Sequence, residues 1–407
     1  LVMFPYLLFI CLVALAMGIL NSLGHFFMPA FSPAMLNVCW IAAIGLVYFG
    51  PQMTPERKVF VLALAILFAG VVQLAMQVPV LRKLGVPIRL DFRFDHPAVR
   101  QVARLWAPVV FGMGIVQLNV LMDGLIAIGF SHQPGGPDSF SLFGLTIRYP
   151  MQEGANSTLY FAERLYQLPL SVLGTAMATA VLPTFSRHFA RGDHEGLAAT
   201  LSLALRVIFF VGVPASVAIM VLSEPMVDLL FKRGKFTEQS VERTAMVVLF
   251  YASGIWAYCG LQVLVRAFHA MQDTKTPVTV GASMVAANVA MNLTFIWFLR
   301  EAGLALATAL SAMFQIAILF RLLRRKLGAK LGVRDTLGSL VKTATASAAM
   351  AVACWLTLKF MPAPVGLTVR ALRVFAPLAI GGGVFVASAW LLRTAELSLV
   401  LKAASKR

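Results

Sequence analysis

The residues of this chain that can do chemistry are a few polar side chains set inside long apolar runs. The densest group is Tyr160-Phe161-Ala162-Glu163-Arg164-Leu165-Tyr166-Gln167-Leu168-Pro169. On a helix Glu163 and Gln167 stand one turn apart on a shared face, with Arg164 turned from them by about 100°. A guanidinium is permanently charged and carries a planar fork of donors that matches a phosphate or pyrophosphate. A charge at mid-bilayer costs about 2.5–3.5 kcal/mol on insertion scales, so it persists only where a partner offsets that cost. Three readings of Arg164 stay open: it grips such an anion, it pairs with a carboxylate and pins helices together, or it sits at the outer interface.

A second group is scattered in sequence. Asp123 lies in the apolar run 120–128, Asn288 and Asn292 are one turn apart in a later run, and Thr308 stands in the next. Four oxygen-bearing side chains that converge would suit a hard cation, which takes oxygen ligands. The other reading is hydrogen bonding between membrane helices, a common use of Asn and Thr, with Asp123 protonated because an unpaired carboxylate in an apolar run neutralises. Weaker candidates are Gln73 and Gln77, Gln117 and Asn119, Arg206, Arg266, His269 and Gln315. Arg206 is close enough to a span end to extend its head to the interface.

The elements that must position these groups follow from composition. Of 407 residues, 59% are hydrophobic and 13% charged, whereas an ordinary soluble domain carries about 25% charged residues. Lipid is therefore the solvent for most of the surface, and lipid admits only helices or closed barrels. The apolar runs reach spanning length without period-2 alternation, which predicts an all-α polytopic membrane protein. Eleven spans are expected, at about 1–23, 31–49, 57–80, 102–130, 157–187, 199–222, 238–269, 277–299, 302–324, 337–360 and 370–394. Spans 157–187 and 238–269 are long enough to tilt or to leave the membrane. Because Leu1 opens in the middle of an apolar run with no basic flank, that run reads as a true span with sequence upstream of it. Cys11, Cys39, Cys259 and Cys354 each fall in an apolar segment without metal spacing, which predicts buried free thiols.

The formal charge of +17 is carried by connectors, not by a soluble basic face, so nucleic acid is not an expected partner. Arg82, Lys83, Arg89, Arg93, Arg100 and Arg104 follow the third span, and Arg324, Arg325, Lys326, Lys330 and Arg334 the ninth. Basic loops mark the cytoplasmic side, which places Leu1 outside. The exception is Lys232, Arg233 and Lys235, on the outer side of that arrangement. Arg82-Lys83-Leu84-Gly85 and Arg325-Lys326-Leu327-Gly328 close corresponding spans, each after a helix, polar hairpin and Pro opening, which points to two homologous lobes. No Asp-rich pyrophosphate motif, His-Glu-x-x-His, Gly-x-Ser-x-Gly or P-loop is present. A non-enzymatic role driven by an ion gradient, the membrane potential or a downhill lipid gradient is expected.

Tyr160 to Pro169, followed by Gly174, Ala178-Thr179-Ala180-Val181-Leu182-Pro183 and Ser186, resembles the MurJ/MviN family of lipid II flippases in the MOP exporter superfamily. Gly18-Ile19-Leu20-Asn21, Pro29-Ala30-Phe31-Ser32-Pro33, Asn37, Gly234-Lys235-Phe236-Thr237 and Asp273-Thr274-Lys275-Thr276-Pro277 carry the likeness along nearly the whole chain. The resemblance implies two six-helix lobes around a cationic cavity, plus two C-terminal helices that form a groove for a lipid tail. Leu1 would open the fourth of fourteen helices. The implied organisation is three first-lobe helices in 1–80, a basic linker in 81–101, the second lobe in 102–324, the helix pair in 337–394 and a cytoplasmic tail in 395–407. Arg164 would be a cavity arginine, with Glu163 in a neighbouring acidic position and Gln167 where some relatives carry a second acid. Asp123, Asn288, Asn292 and Thr308, with the Leu304 carbonyl, resemble a sodium site. No other cofactor is expected. The loop 131–156 departs from the family in length and reads as an outer elaboration.

The function implied is translocation of an undecaprenyl-pyrophosphate-linked peptidoglycan precursor across the bacterial inner membrane by alternating access. Membrane lipids and cell-wall synthesis proteins are the partners to expect. Alternatives are a superfamily exporter of drugs or other polyprenyl-linked glycans, a membrane prenyl or glycosyl transferase, and a non-transporting scaffold.

Overall fold

The computed structural model describes residues 2–86, 97–133, 135–142, 145–328 and 332–399. Arg89 and Arg93 of the expected linker, Pro134, Lys330, and Lys402, Lys406 and Arg407 of the expected tail lie outside the described residues. The chain divides into two compact units, Leu1–Val102 and Ala103–Arg407.

The first unit contains α1 (Tyr6–Ser22), α2 (Phe27–Phe49) and α3 (Pro55–Lys83). Gly70 brings α3 close to α1, because a Cβ there would stand 2.9 Å from that of Phe9. The buried amides of Gln73 and Gln77 donate to the Ser32 carbonyl (2.8 Å) and hydroxyl (3.0 Å), joining α3 to α2. These two glutamines thus serve as inter-helix glue. After α3 the chain turns through Gly85 at φ 79°, and the Val86 N–H closes on the Leu81 carbonyl. That is the left-handed cap that glycine adopts without a Cβ penalty.

The second unit takes up α4 (Pro97–Gly129) from Ala103 onward, then a hairpin of β1 (Ser139–Leu142) and β2 (Leu145–Arg148). It continues with α5 (Ala155–Pro169), a π-helical turn (Leu170–Thr175), α6 (Ala176–Ala190), α7 (His194–Val221) and α8 (Ser223–Phe231). Then follow α9 (Glu238–Ser253), α10 (Ile255–Ala270), α11 (Lys275–Leu299) and α12 (Glu301–Lys326), and last α13 (Val333–Lys359) and α14 (Gly366–Leu391). The chain is an all-α multi-pass membrane protein. Among the described residues eight helices are long and apolar enough to cross a membrane, and the bent pair α9–α10 is a ninth. Of the eleven expected spans, α1, at 17 residues, is shorter than that test requires, and the expected span 102–130 falls on the 33-residue α4. Phe298 and Phe360 are more than 80% exposed, as side chains facing lipid are.

The expected span 157–187 is one continuous helical span, Ala155–Ala190, widened by a π turn directly after Pro169, which has no N–H to give to the Leu165 carbonyl. The span 238–269 bends by 40° where α9 meets α10 at Gly254. The loop 131–156 holds the β-hairpin, a Ser131–Met151 bridge, and two ties to α9: Gln239 donates to Gln152 (3.3 Å) and Arg243 to the Glu153 carbonyl (3.1 Å). Cys259 and Cys354 are buried as expected, but Cys11 is exposed and Cys39 half-buried, because an apolar helix facing lipid leaves its thiols on the surface.

The core is built where α7 packs against α6, α10 and α13. Leu197, Leu201 and Leu205 of α7, with Phe185 and Phe268, are essentially fully buried. Two ion pairs reinforce this frame. Arg206 of α7 donates to Glu396 beyond α14 (2.6 Å), a partner that replaces the expected reach to the interface. Arg243 of α9 meets Glu301 of α12 (2.5 Å). Of the basic residues Lys232, Arg233 and Lys235, Lys232 pairs with Asp228 and Glu238.

Candidate functional site

Helix α5 starts from Gly154 at φ 81°, whose carbonyl accepts from the Thr158 hydroxyl at 3.2 Å. Two turns later the expected cluster is assembled. Gln167 Nε2 donates to Glu163 Oε1 at 2.8 Å, and Arg164 Nη1 donates to Gln167 Oε1 at 3.1 Å. The Arg164 guanidinium also lies 4.5 Å from the centre of the Tyr160 ring. Arg164 is exposed within its unit, and among the described residues no carboxylate pairs with it. Its orientation therefore comes from an amide and an aromatic face, which leave the full positive charge available. The Ser171 hydroxyl in the π turn donates to the Gln167 carbonyl at 2.8 Å, tying the turn to this cluster.

The second group also converges. Asn292 Nδ2 donates to Asp123 Oδ1 at 2.6 Å and to Asn288 Oδ1 at 2.9 Å, and the Thr308 hydroxyl donates to Asp123 Oδ2 at 3.2 Å. The Asn288 amide donates to the Thr308 oxygen at 3.3 Å; turned over, its nitrogen faces Asp123 Oδ1 (3.2 Å) and Asn119 Oδ1 (3.1 Å). Asn288 and Asn292 are wholly buried, and Asn292 Oδ1 has no donor. Leu304 is fully buried one turn before Thr308 on α12. A carboxyl group, amide oxygens, a hydroxyl and an orphaned buried acceptor form a donor set that fits a hard monovalent cation. No three His, Cys, Asp or Glu side chains gather among the described residues, and the set has no soft ligand for a transition metal.

The two groups open onto one chamber of about 420 Å³. Glu163 lines it from α5, Asp123 and Asn119 from α4, and Thr308 from α12, with Tyr166 and Tyr251 as walls. Arg164 and Gln167 are not in the lining. The aromatic component is the part that the sequence reading missed. The Tyr166 ring stacks on Tyr251 (4.7 Å) and Tyr258 (5.3 Å), one residue on either side of the α9–α10 bend. The available signal was spacing: Tyr251 and Tyr258 are seven residues apart, two turns along one helical face.

The family model described as lipid II flippase MurJ matches residues 1–375. A probable lipid II flippase MurJ of Vibrio cholerae is 36% identical over 318 residues, 78% of this chain and 56% of that one. A namesake from Rhizobium meliloti is 30% identical over 413 residues, covering 100% of this chain and 72% of that one. A solved structure described as lipid II flippase MurJ in an inward closed conformation superposes with a TM-score of 0.71 at 21% identity, over 94% of this chain and 72% of the other. It supports the fold. The chain spans little more than half the length of the Vibrio relative.

Proposed function

Because this chain belongs to the MurJ family of lipid II flippases, we propose that it serves the translocation of an undecaprenyl-pyrophosphate-linked peptidoglycan precursor across the inner membrane, as a transporter and not an enzyme. The observation that carries this reading is Arg164, an exposed guanidinium with no carboxylate partner among the described residues. A pyrophosphate offers the bidentate acceptor that such a fork is shaped for. Gln167 aims it, and Glu163 holds Gln167 in place. Alternating access would deliver the headgroup from one leaflet to the other while the isoprenoid remains in lipid. The partners are accordingly the lipid-linked substrate, membrane lipids and cell-wall synthesis proteins.

In a strain depleted of its own flippase, the Arg164→Ala protein should support no growth at normal membrane abundance, and Arg164→Lys should support partial growth. Full growth with alanine removes Arg164 from the mechanism.

A sodium ion held by Asp123, Asn288, Asn292 and Thr308, with the Leu304 carbonyl, is the second element of the proposal. The orphaned Asn292 oxygen favours it. A bound cation would supply positive charge at a carboxylate that otherwise meets only amide and hydroxyl donors. The residues themselves join α4, α11 and α12, so the charge state at Asp123 bears on how these three helices pack.

A further inference from the structure

The π turn 170–175 stands between Arg164 and the rest of its span. An α-helix turns by about 100° per residue, and a turn closed by i→i+5 bonds takes up about one residue more than the same stretch of α-helix. Helix α5 is therefore rotated by about 100° from the setting that an unbroken helix running back from α6 would give it. Were the turn to revert to α-helix, apolar Leu165 would take the direction that Arg164 now holds, and Arg164 that of Glu163.

Proline's missing donor opens the turn, but contacts from α10 hold it in place. Val172, Gly174 and Thr175 are weak helix formers, so local preference fixes neither form. Gly174 is buried against α10, where a Cβ would stand 3.3 Å from Gln262 Cδ and 3.4 Å from Cys259 Cα. Beside it the Thr175 hydroxyl donates to Gln262 Oε1 at 3.2 Å. Tyr258 lies one turn from Gln262 on the same face of α10, and its ring meets that of Tyr166 at 5.3 Å. One face of α10 thus grips the span on both sides of the extra residue, at Tyr166 before it and at Thr175 after it.

We propose that Gln262 and Thr175 are positioning residues for the anion grip of Arg164: their bond holds the π turn, and the turn's extra residue aims the guanidinium. Neither residue needs to touch the anion. This role rests on the reading of Arg164 given above and adds to it the part of the fold that sets its direction.

The test is a calorimetric titration of the detergent-solubilised protein with inorganic pyrophosphate, read beside the thermal midpoint. Saturable binding is expected for the unaltered protein and none for Arg164→Ala. Gln262→Met and Thr175→Val keep size and remove the bond, and each should weaken binding about fivefold. The midpoint should change little, since the bond lies at the surface of its unit. The double variant should bind no more weakly than either single one, because the two side chains share one bond. Thr175→Ser keeps the hydroxyl and should bind like the unaltered protein. Unchanged affinity in both single variants, losses that add in the double, or a midpoint that falls in step with the loss overturns the positioning role and leaves the grip standing. Absent binding in the unaltered protein, or binding indifferent to Arg164→Ala, removes the grip and the positioning role with it.

Discussion

At the residue scale, the two candidate groups differ in how fully they are partnered. Arg164 keeps its charge unopposed, while Asp123 accepts from Asn292 and Thr308. Those donors are neutral, so among the described residues no positive group pairs with Asp123. If sodium completes the group, sodium chloride should raise the thermal midpoint of the purified protein above its value in potassium chloride at equal ionic strength. Asp123→Asn should then weaken the apparent sodium affinity by roughly tenfold or more, about 1.4 kcal/mol per decade. A midpoint indifferent to sodium in the unaltered protein ends the ion-site proposal. Asp123, Asn288, Asn292 and Thr308 were legible from sequence because polar residues in apolar runs are costly and therefore few. Glu396 and Glu301 were not. Each sits beside a helix end, where an acid ordinarily reaches water, and only tertiary packing shows that both are buried against arginines.

At the element scale, the irregular turns matter more than the helices. Periodicity and length revealed where apolar segments begin and end, but not the π turn or the bend within the two long ones. The π turn after Pro169 follows from proline's missing donor, whereas the Gly254 bend sits against α12, remote in sequence. A Cβ on Gly254 would stand 2.9 Å from the Tyr258 ring and 3.0 Å from the Ala309 Cα of α12. Two effects of opposite sign meet there. Alanine is the better helix former by about 1 kcal/mol, and overpacking costs about 1–3 kcal/mol. Because backbone and ring both crowd the site, the second should win. Gly254→Ala is expected to lower the thermal midpoint in detergent, and Gly254→Val to lower it further. A raised midpoint would show that the bend tolerates a methyl group. The small β-hairpin is a further feature that length and hydropathy did not show, because four-residue strands in a polar loop carry too short a pattern.

At the scale of the whole molecule, stability depends on how connectors fasten helix ends. Asp273, between α10 and α11, accepts from the Thr276 N–H (3.0 Å), the Thr276 hydroxyl (2.7 Å) and the Lys326 ammonium at the end of α12. Burial pushes its carboxyl up, but the bonds from Lys326 and Thr276 outweigh burial and hold it at about 2. An unfolded aspartate titrates near about 3.9. The folded value is the lower one, so this contribution is complete above about pH 4 and is lost as pH falls toward 2. Asp193, held low by the Gly196 N–H and His188, adds the same sign. The thermal midpoint should therefore drop between pH 4 and pH 2, and Asp273→Asn should start lower and drop less. An identical acid profile in that variant would show that the Lys326 contact contributes nothing to folding. The repeated Arg-Lys-Leu-Gly ending was visible in the sequence, and both copies end a helix on a left-handed glycine. Only the second copy has an aspartate across from it, since His25 occupies the matching place in the first hairpin.

The clasp between Arg206 and Glu396 bears on how the protein can be handled at the bench. Glu396 is 1% exposed and lies five residues past the last long helix. A polypeptide ended before that glutamate would abandon a guanidinium against oily neighbours in the frame's central rod. Purification handles and optical reporters accordingly belong downstream of it, where they leave the clasp shut.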